Sequence, residues 1–428
     1  MMIIGYNEPE KSLSRSQLAF WMLFVGIAFV MIYVRAMSSL NAHPIFLAYV
    51  WAVAVTIIFR YVFYAIYDPH LSKLGEYQPS VMLIVPAKNE SSVVYETAKA
   101  INELEYPREK LQVVMVNDGS DDDTGYWMDK CVTDFDYHVI HLEDNLGKRQ
   151  AIARAMEINS SEITVLVDSD SALEKSSILE GLRGFISPKV AAICGHTDVD
   201  NSTSTWLTKM QAQQYFIAFK TFKSLESFFG SVICCSGAFS MYRTDVIKPL
   251  MGEWTTQKFL GTVRTFGDDR GLTNLLLRDG HNIIYLPKAK ARTIVPQTLG
   301  VYVRQQLRWR RSFLMESISA LGHMWKRPIG ASLMFYLVLF LTMASPFVVS
   351  YFLIIGPIFD DFNPLLYIVG LTLIILLHQV FYWAFQLPPA DKVGFFSLMP
   401  MLPVWIFFTL LLLPWAMMTL SDSSWGTR

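Results

Sequence analysis

Charge is scarce in this chain. Of its 428 residues only 17% are Asp, Glu, Lys or Arg, while 52% are hydrophobic. Ordinary soluble domains carry about 25% charged residues, so the deficit excludes a plain soluble globule and points to a membrane. The net charge of -1 excludes a general electrostatic attraction to nucleic acid, and no nucleic-acid partner is expected. Cysteine is scarce as well. Cys131, Cys194, Cys234 and Cys235 show no metal-ligand spacing, and the adjacent pair is a poor disulfide candidate. All four are expected as free thiols in a reducing compartment. No short apolar core near the first residues is followed by a small-residue cleavage site, so no removable leader is expected. Internal repeats and low-complexity tracts are also missing.

What the chain has instead is long apolar runs at both ends. Leu18 to Val34 is uncharged and long enough for a spanning helix. Pro44 to Ile66 is a second run, interrupted only by Arg60. A charge at the bilayer centre costs about 2.5–3.5 kcal/mol on insertion scales, but Arg60 lies near one end, where its stem can snorkel to the headgroups. Lys11 and Arg15 precede the first run, which places that side in the cytosol. Two crossings return the chain there. Residues 1–66 therefore read as two transmembrane helices in contact with lipid, and the charge-dense stretch that follows as cytosolic.

That stretch, residues 67–300, alternates strand and helix patterns. Val81 to Val85, Leu111 to Val116 and Ile163 to Val167 are short apolar strands; Ser91 to Leu104 and Gly147 to Asn159 have helical spacing. The βαβαβ order predicts an α/β fold, a parallel sheet with helices on both faces. Ligands of such sheets bind beyond the C-terminal strand ends. Two acidic clusters sit there: Asp118 in Asn-Asp-Gly-Ser, and Asp168 with Asp170 in Asp-Ser-Asp. A third, Asp268-Asp269, follows in Gly-Asp-Asp-Arg. Two carboxylates at one strand end are within reach of one Mg²⁺ or Mn²⁺, as a diphosphate leaving group requires. A solvated acidic turn fits Asp-x-Asp alone equally well, and Asp121 to Asp123 read as such a turn. In residues 301–330, Gln305, Arg308 and Trp309 share one helical face. Arg suits a diphosphate and Trp offers a flat surface to a sugar ring. Arg310 and Arg311 read as a basic interfacial face toward anionic lipid.

Taken together, Asp-Gly-Ser, Asp-x-Asp, Asp-Asp and Gln-x-x-Arg-Trp, in that order, resemble the processive family-2 glycosyltransferases: hyaluronan, chitin-type and cellulose synthases. Cys235 to Arg243, Phe259 to Gly261, Gly267 to Asn274 and Val295 to Ile318 look most like hyaluronan synthases, and Trp425-Gly-Thr-Arg428 matches the same group and its chitin-oligosaccharide relatives. Ala238 departs from that pattern, standing where the group usually has proline. The resemblance implies a GT-A-type domain inserted between helical transmembrane segments. It implies that Asp118 and Lys148 hold the uridine and its phosphates, that Asp168 supports the nucleotide, and that Asp170 is the metal ligand. Asp269, paired with Asp268, would be the catalytic base. Gln305, Arg308 and Trp309 would bind diphosphate and acceptor sugar, Cys235 would lie in the loop meeting the acceptor end, and Trp425 and Arg428 in a gating loop over residues 421–428.

The implied activity is inverting, processive polymerisation of UDP-sugars into a β-linked polysaccharide, with export of the growing chain through the plasma membrane. The long match favours hyaluronan, made from UDP-GlcNAc and UDP-GlcA. The alternatives are a chitin-like N-acetylglucosamine polymer or oligosaccharide, and a distributive enzyme loading a lipid carrier. A transporter with a regulatory nucleotide domain would not need a base beside a metal site. His378, alone in an apolar run, is expected as a packed or capping residue, and His196 as either structural or bordering the acceptor. One conflict is left by the topology. Ala331 to Phe359, Phe362 to Phe385 and Val393 to Leu420, within residues 331–420, make three apolar runs, yet a gating tail must end in the cytosol. One run, broken at Pro346 or at Pro400 and Pro403, is therefore expected to turn back within the membrane.

Overall fold

The computed structural model describes residues 14, 17–26, 44–69, 71–359, 363–386 and 393–420. Trp425 and Arg428 lie outside them, as do residues 27–34 of the first apolar run; Gln17–Gly26 is helical.

The strand patterns fold as read, with more neighbours than the sequence shows. The three read from sequence are β1 (Val81–Ala87), β2 (Leu111–Asp118) and β4 (Ile163–Leu166); β3 (His138–Leu142), β5 (Ser171–Leu173), β6 (Val190–Val199), β7 (Ser240–Arg243) and β10 (Asn282–Thr293) join them in one eight-stranded sheet. Its order is β3-β2-β1-β4-β7-β6-β10-β5. The β3-β2-β1-β4 half is parallel, but β7 runs antiparallel to both β4 and β6, and β5 antiparallel to β10. The sheet is thus mixed rather than parallel throughout. β8 (Lys258–Phe259) and β9 (Thr262–Val263) form a separate hairpin.

β1 is apolar without alternation because both of its faces are covered. Met82 and Ile84 enter one core, with Val114 and Val116; Val81, Leu83 and Val85 enter the other, with Val113 and Met115. The strand also runs past Val85 through Pro86 to Ala87. Ile84 C=O accepts from Val167 on the β4 side, so the alternating backbone directs Pro86 to that side too. β4 has already ended there, and the missing N–H costs no ladder bond.

The helices that carry the argument are α1 (Pro44–Ile66), α2 (Lys148–Glu157), α3 (Trp206–Ile217), α4 (Asp268–Arg278), α5 (Leu299–Met324), α6 (Ile329–Phe359), α7 (Pro364–Phe385) and α8 (Phe396–Met418). Within α1, α6, α7 and α8 lie stretches long and apolar enough to cross a membrane, four among the described residues. The Arg60 guanidinium, near the end of α1, lies 4.0 Å over the Phe222 ring of the globular unit.

Neither proline-bearing run turns back. α6 continues through Pro346 as α-helix and passes into a π-helical turn at Tyr351–Ile355. Pro400 sits where a 3₁₀ turn at Phe395–Leu398 passes into the helix from Met401, a position that lacks a required donor. α8 has a different peculiarity. At its start Gln213 of α3 donates to Ser397 Oγ (2.5 Å), and Leu398 N–H donates to Gln379 Oε1 (3.1 Å). At its middle Phe408 lies tilted against Tyr302, ring centroids 5.5 Å apart, and 4.3 Å beneath Arg310. Just past its end Thr419 Oγ1 accepts from Arg311 Nε (3.0 Å) and Nη2 (2.8 Å). α8 is therefore held by α3 and α7 at its start and by α5 from its middle to its end, and residues 301–324 form one helix rather than several.

Candidate active site

The acidic clusters meet at the C-terminal ends of the parallel strands. Asp118 closes β2 and is only 4% exposed. Its Oδ1 accepts from Leu146 N–H (2.8 Å) and its Oδ2 from Gly147 N–H (2.9 Å). Burial outweighs these bonds and raises its carboxyl above the ordinary range. Its first effect is to fix the loop that delivers Lys148. Gly119 is required beside it: φ is +60°, and a Cβ there would lie 2.6 Å from Asn145 N in that loop.

Lys148, first residue of α2, turns into the cleft. Its Nζ is 2.5 Å from Asp168 Oδ1 and 3.9 Å from Asp269 Oδ1. Burial opposes its charge, but Asp168, Asp269 and Asp268 together hold the ammonium well above its usual range. Asp269 stands at the start of α4 and accepts from Gly237 N–H at 3.1 Å. Burial, reinforced by the negative charges of Asp168 and Asp268 and opposed by Lys148, pushes its carboxyl up to about 6. Gly237 is the pinch point. A Cβ there would sit 2.8 and 2.9 Å from the Asp168 oxygens and 2.9 Å from Lys148 Nζ. Pro86, Trp254 and Leu272 complete the apolar lining.

Asp170 lies beyond Asp168 and makes long contacts, 3.4 Å each, with the Thr293 and Ser171 hydroxyls. Among the described residues no three carboxylate, imidazole or thiol groups form a metal cage. Two carboxylates on one strand end nevertheless fit Mg²⁺ or Mn²⁺, which take one or two protein carboxylates beside substrate phosphates.

The acceptor-side residues come from α5. Trp309 is 41% exposed, and its ring lies 6.2 Å from that of Tyr215 on α3. Burial first, and then the charges of Asp170 and Asp168, hold the Tyr215 phenol well above its ordinary range. Tyr215 thus stands between the Asp-x-Asp end and the Gln-x-x-Arg-Trp helix. Gln305 has a buried Oε1 with no partner among the described residues. Cys235 lies in the loop against α4, pinned by its N–H to Thr273 Oγ1 (3.1 Å). Its thiol, however, is wholly buried, and hydrogen bonding to Cys194 together with burial holds it well above the ordinary range. Cys234, half-buried, is the neighbour nearer the surface. His196 is also buried, held between Tyr285 Oη (2.7 Å) and Asp198 Oδ1 (3.1 Å), a satisfied structural residue. His378 bonds back to Ile374 O at 2.6 Å.

The model of the family described as "Glycosyltransferase like family 2" matches residues 79–312, more than half of the chain, from β1 through Arg308 and Trp309. The chain belongs to that family. It is a glycosyltransferase, with the GT-A-like fold. Similar curated proteins include an N-acetylglucosaminyltransferase of Azorhizobium caulinodans, 37% identical over 57% of this chain and 62% of its own length. One of Rhizobium meliloti is 36% identical over 57% and 58%. The match thus spans about six-tenths of these relatives. The fold is shared with a solved mannosyltransferase, PcManGT of Pyrobaculum calidifontis in complex with GDP-Man and Mn²⁺. It has a TM-score of 0.60 and 16% identity, over 83% of this chain and 98% of that one.

In this glycosyltransferase the sequence motifs locate the cleft residues but not the side chains behind them. Arg149, 5% exposed as a side chain, bonds Asp268 Oδ1 through Nε at 2.7 Å. Both aspartates line the pocket, but Asp268 is engaged by Arg149 while Asp269 is the one near Lys148 Nζ. Adjacent acids in one motif carry no mark of this division; the buried arginine that creates it follows Lys148 by one residue and reads in sequence as another surface charge. Tyr215 was equally unmarked, because no pattern links α3 to α5.

Proposed function

We propose that this glycosyltransferase is membrane-embedded and extends a β-linked chain with N-acetylglucosamine from UDP-GlcNAc, by inversion, on the cytosolic side of the plasma membrane. The observation that carries the reading is the convergence of Lys148, Asp168 and Asp269 around Gly237. The curated relatives' name supports the choice of sugar. In this reading Asp118 and Lys148 hold the uridine diphosphate moiety, Asp168 supports the nucleotide, and Asp170 would hold a divalent cation. When bound, that cation supplies charge neutralisation for the departing diphosphate. Asp269, a carboxylate above about pH 6, takes the proton of the acceptor hydroxyl as it attacks the anomeric carbon from the face opposite the diphosphate. Such base assistance contributes about 10²–10⁴-fold. One carboxylate suffices, since no second group needs protonation across the bond. Arg308 and Gln305 meet the diphosphate, and Trp309 and the Cys235 loop meet the acceptor. Trp425 and Arg428 are assigned to donor closure from the sequence resemblance alone.

Hyaluronan, from UDP-GlcNAc and UDP-GlcA in alternation, is the second reading; the stretches from Cys235 to Arg243 and from Gly267 to Asn274 favour it. For topology, α1, α6 and α7 cross, with the first apolar run before them. α8 is packed against both α5 and α7, and its course decides on which side of the membrane the tail lies. UDP release and product size, measured with UDP-GlcNAc alone, UDP-GlcA alone and both, test the function. Polymer from UDP-GlcNAc alone supports the first reading, and polymer only from the pair supports the second. No UDP from any UDP-sugar defeats both.

A further inference from the structure

A buried charge network joins three parts of the molecule that sequence keeps apart. Lys148 and Arg149 are neighbours on α2, yet they point in opposite senses: Lys148 into the cleft, Arg149 under it. Arg149 donates to Asp268 Oδ1 at 2.7 Å, to Trp254 O and Gln257 Oε1 at 2.9 Å each, and to Phe266 O at 3.2 Å. Its Nη2 is 3.8 Å from Glu316 Oε1. Glu316 belongs to α5, two helical turns beyond Trp309, and is 1% exposed. It also accepts from Arg264 Nη1 at 2.7 Å and from Asn274 Nδ2 at 2.9 Å. Two cations and two anions thus balance inside the protein, between the helix of the phosphate lysine, the helix of Asp269 and the helix of Trp309.

The packing around the network leaves no slack. A Cβ on Gly267 would lie 2.7 Å from Ser312 Oγ on α5. One on Gly271 would lie 3.0 Å from both Arg149 Nη2 and Gln257 Oε1, and 3.4 Å from Glu316 Oε1. The first turn of α4 is pressed against α5 at bare-backbone distance, and the ion pairs occupy the seam. A buried ion pair is a weak source of net stability, because desolvation offsets the attraction. What it does supply is direction: a guanidinium fork and a carboxylate fix each other's bearing.

We propose that Arg149 and Glu316 are positioning residues that set the distance and bearing between Asp269 and the helix carrying Gln305, Arg308 and Trp309. The inference rests on the reading of the cleft as a sugar-transfer site. Arg149 holds Asp268, so its chain neighbour Asp269 is turned into the cleft. Glu316 ties the acceptor helix to the same frame through Arg264, Asn274 and Arg149. Neither residue touches the donor, so their loss acts on the attack step and not on donor capture.

The test uses the full chain in lipid nanodiscs and two variants. Glu316→Gln keeps the shape and loses the charge; Glu316→Asp keeps the charge and withdraws the carboxylate by one methylene, and serves if the first fails to fold. With UDP-GlcNAc, kcat for chain extension falls at least tenfold in either folded variant, as a displacement of a fraction of an ångström demands, while the donor KM stays within twofold. Hydrogen exchange, read without substrate, speeds up at least tenfold in residues 267–273 and stays unchanged in β1. A kcat within twofold of wild type in a monodisperse variant overturns the proposal. So does a rise of donor KM that accounts for the whole loss. If wild type releases no UDP from UDP-sugars, the parent reading fails, and the exchange result alone then decides whether Glu316 orients α4.

Discussion

Replacing Gly237 with alanine is the sharpest perturbation of the cleft. Its φ is not positive, so alanine can take the same backbone conformation. The new Cβ would lie 2.8 Å from Asp168 Oδ2, 2.9 Å from Oδ1 and 2.9 Å from Lys148 Nζ. Ordinary contact begins at 3.4 Å, so the pair has to retreat by about half an ångström. Both contacts are the free ends of flexible side chains, and the backbone need not move. The stability cost should therefore stay below about 1 kcal/mol, less than the ~1–3 kcal/mol typical of overpacking in a closed core. Catalysis should suffer more. A 1 Å error at a reacting centre costs about 10²-fold, so half of that, applied to the lysine and carboxylate together, predicts about a tenfold fall in kcat/KM. The assay is UDP release with UDP-GlcNAc, paired with the thermal midpoint of the same preparation. Gly252→Ala, with nothing within 4 Å of the added Cβ, is the control and should be neutral in activity. A Gly237→Ala protein with wild-type kcat/KM would refute the reasoning that the loop is in contact with the working pair.

Further outcomes follow from the same geometry. Asp269→Asn abolishes transfer but leaves UDP-sugar binding nearly intact, measured by calorimetry; normal turnover would remove it as the base. The acid limb of kcat/KM lies near pH 6, because the base must be deprotonated and its carboxyl stands at about 6. Asp268→Asn removes a neighbouring negative charge and moves that limb to lower pH; a shift upward contradicts the assignment. Trp309→Ala shortens or eliminates product while UDP-sugar hydrolysis survives, read by gel filtration beside UDP release; equal loss of both contradicts an acceptor platform. Asp170→Asn weakens donor binding in Mn²⁺ or Mg²⁺ but not in chelator, and unchanged metal dependence would free it of that role. A cysteine replacing Ser423 reacts with an impermeant thiol reagent only in opened membranes; labelling from outside would place α8 across the bilayer.

The amino-acid pattern alone determined a great deal here, because several of its signals are local. A strand buried on both faces must be apolar throughout, so β1, β2 and β4 are visible as runs. Acidic residues that end such runs must lie at one rim, so Asp118, Asp168 and Asp170 could be grouped without coordinates. Spacing of three and four placed Gln305, Arg308 and Trp309 on one face of what is a single helix. Other features depend on partners distant in the chain. β7 carries no mark of running antiparallel between β4 and β6, since direction is set by connections and not by composition. Cys235 and Cys234 are chemically identical in sequence, and only the packing against Cys194 buries one thiol and half-exposes the other. α8 has the hydropathy of a crossing, and hydropathy measures how much apolar surface there is, not what covers it; its anchors on Gln213, Tyr302 and Arg311 appear only when the chain has folded. The two aspartates of Gly-Asp-Asp-Arg show the division most plainly. Sequence makes them a pair, and one buried arginine, more than a hundred residues earlier, engages Asp268 and leaves Asp269 near Lys148 Nζ.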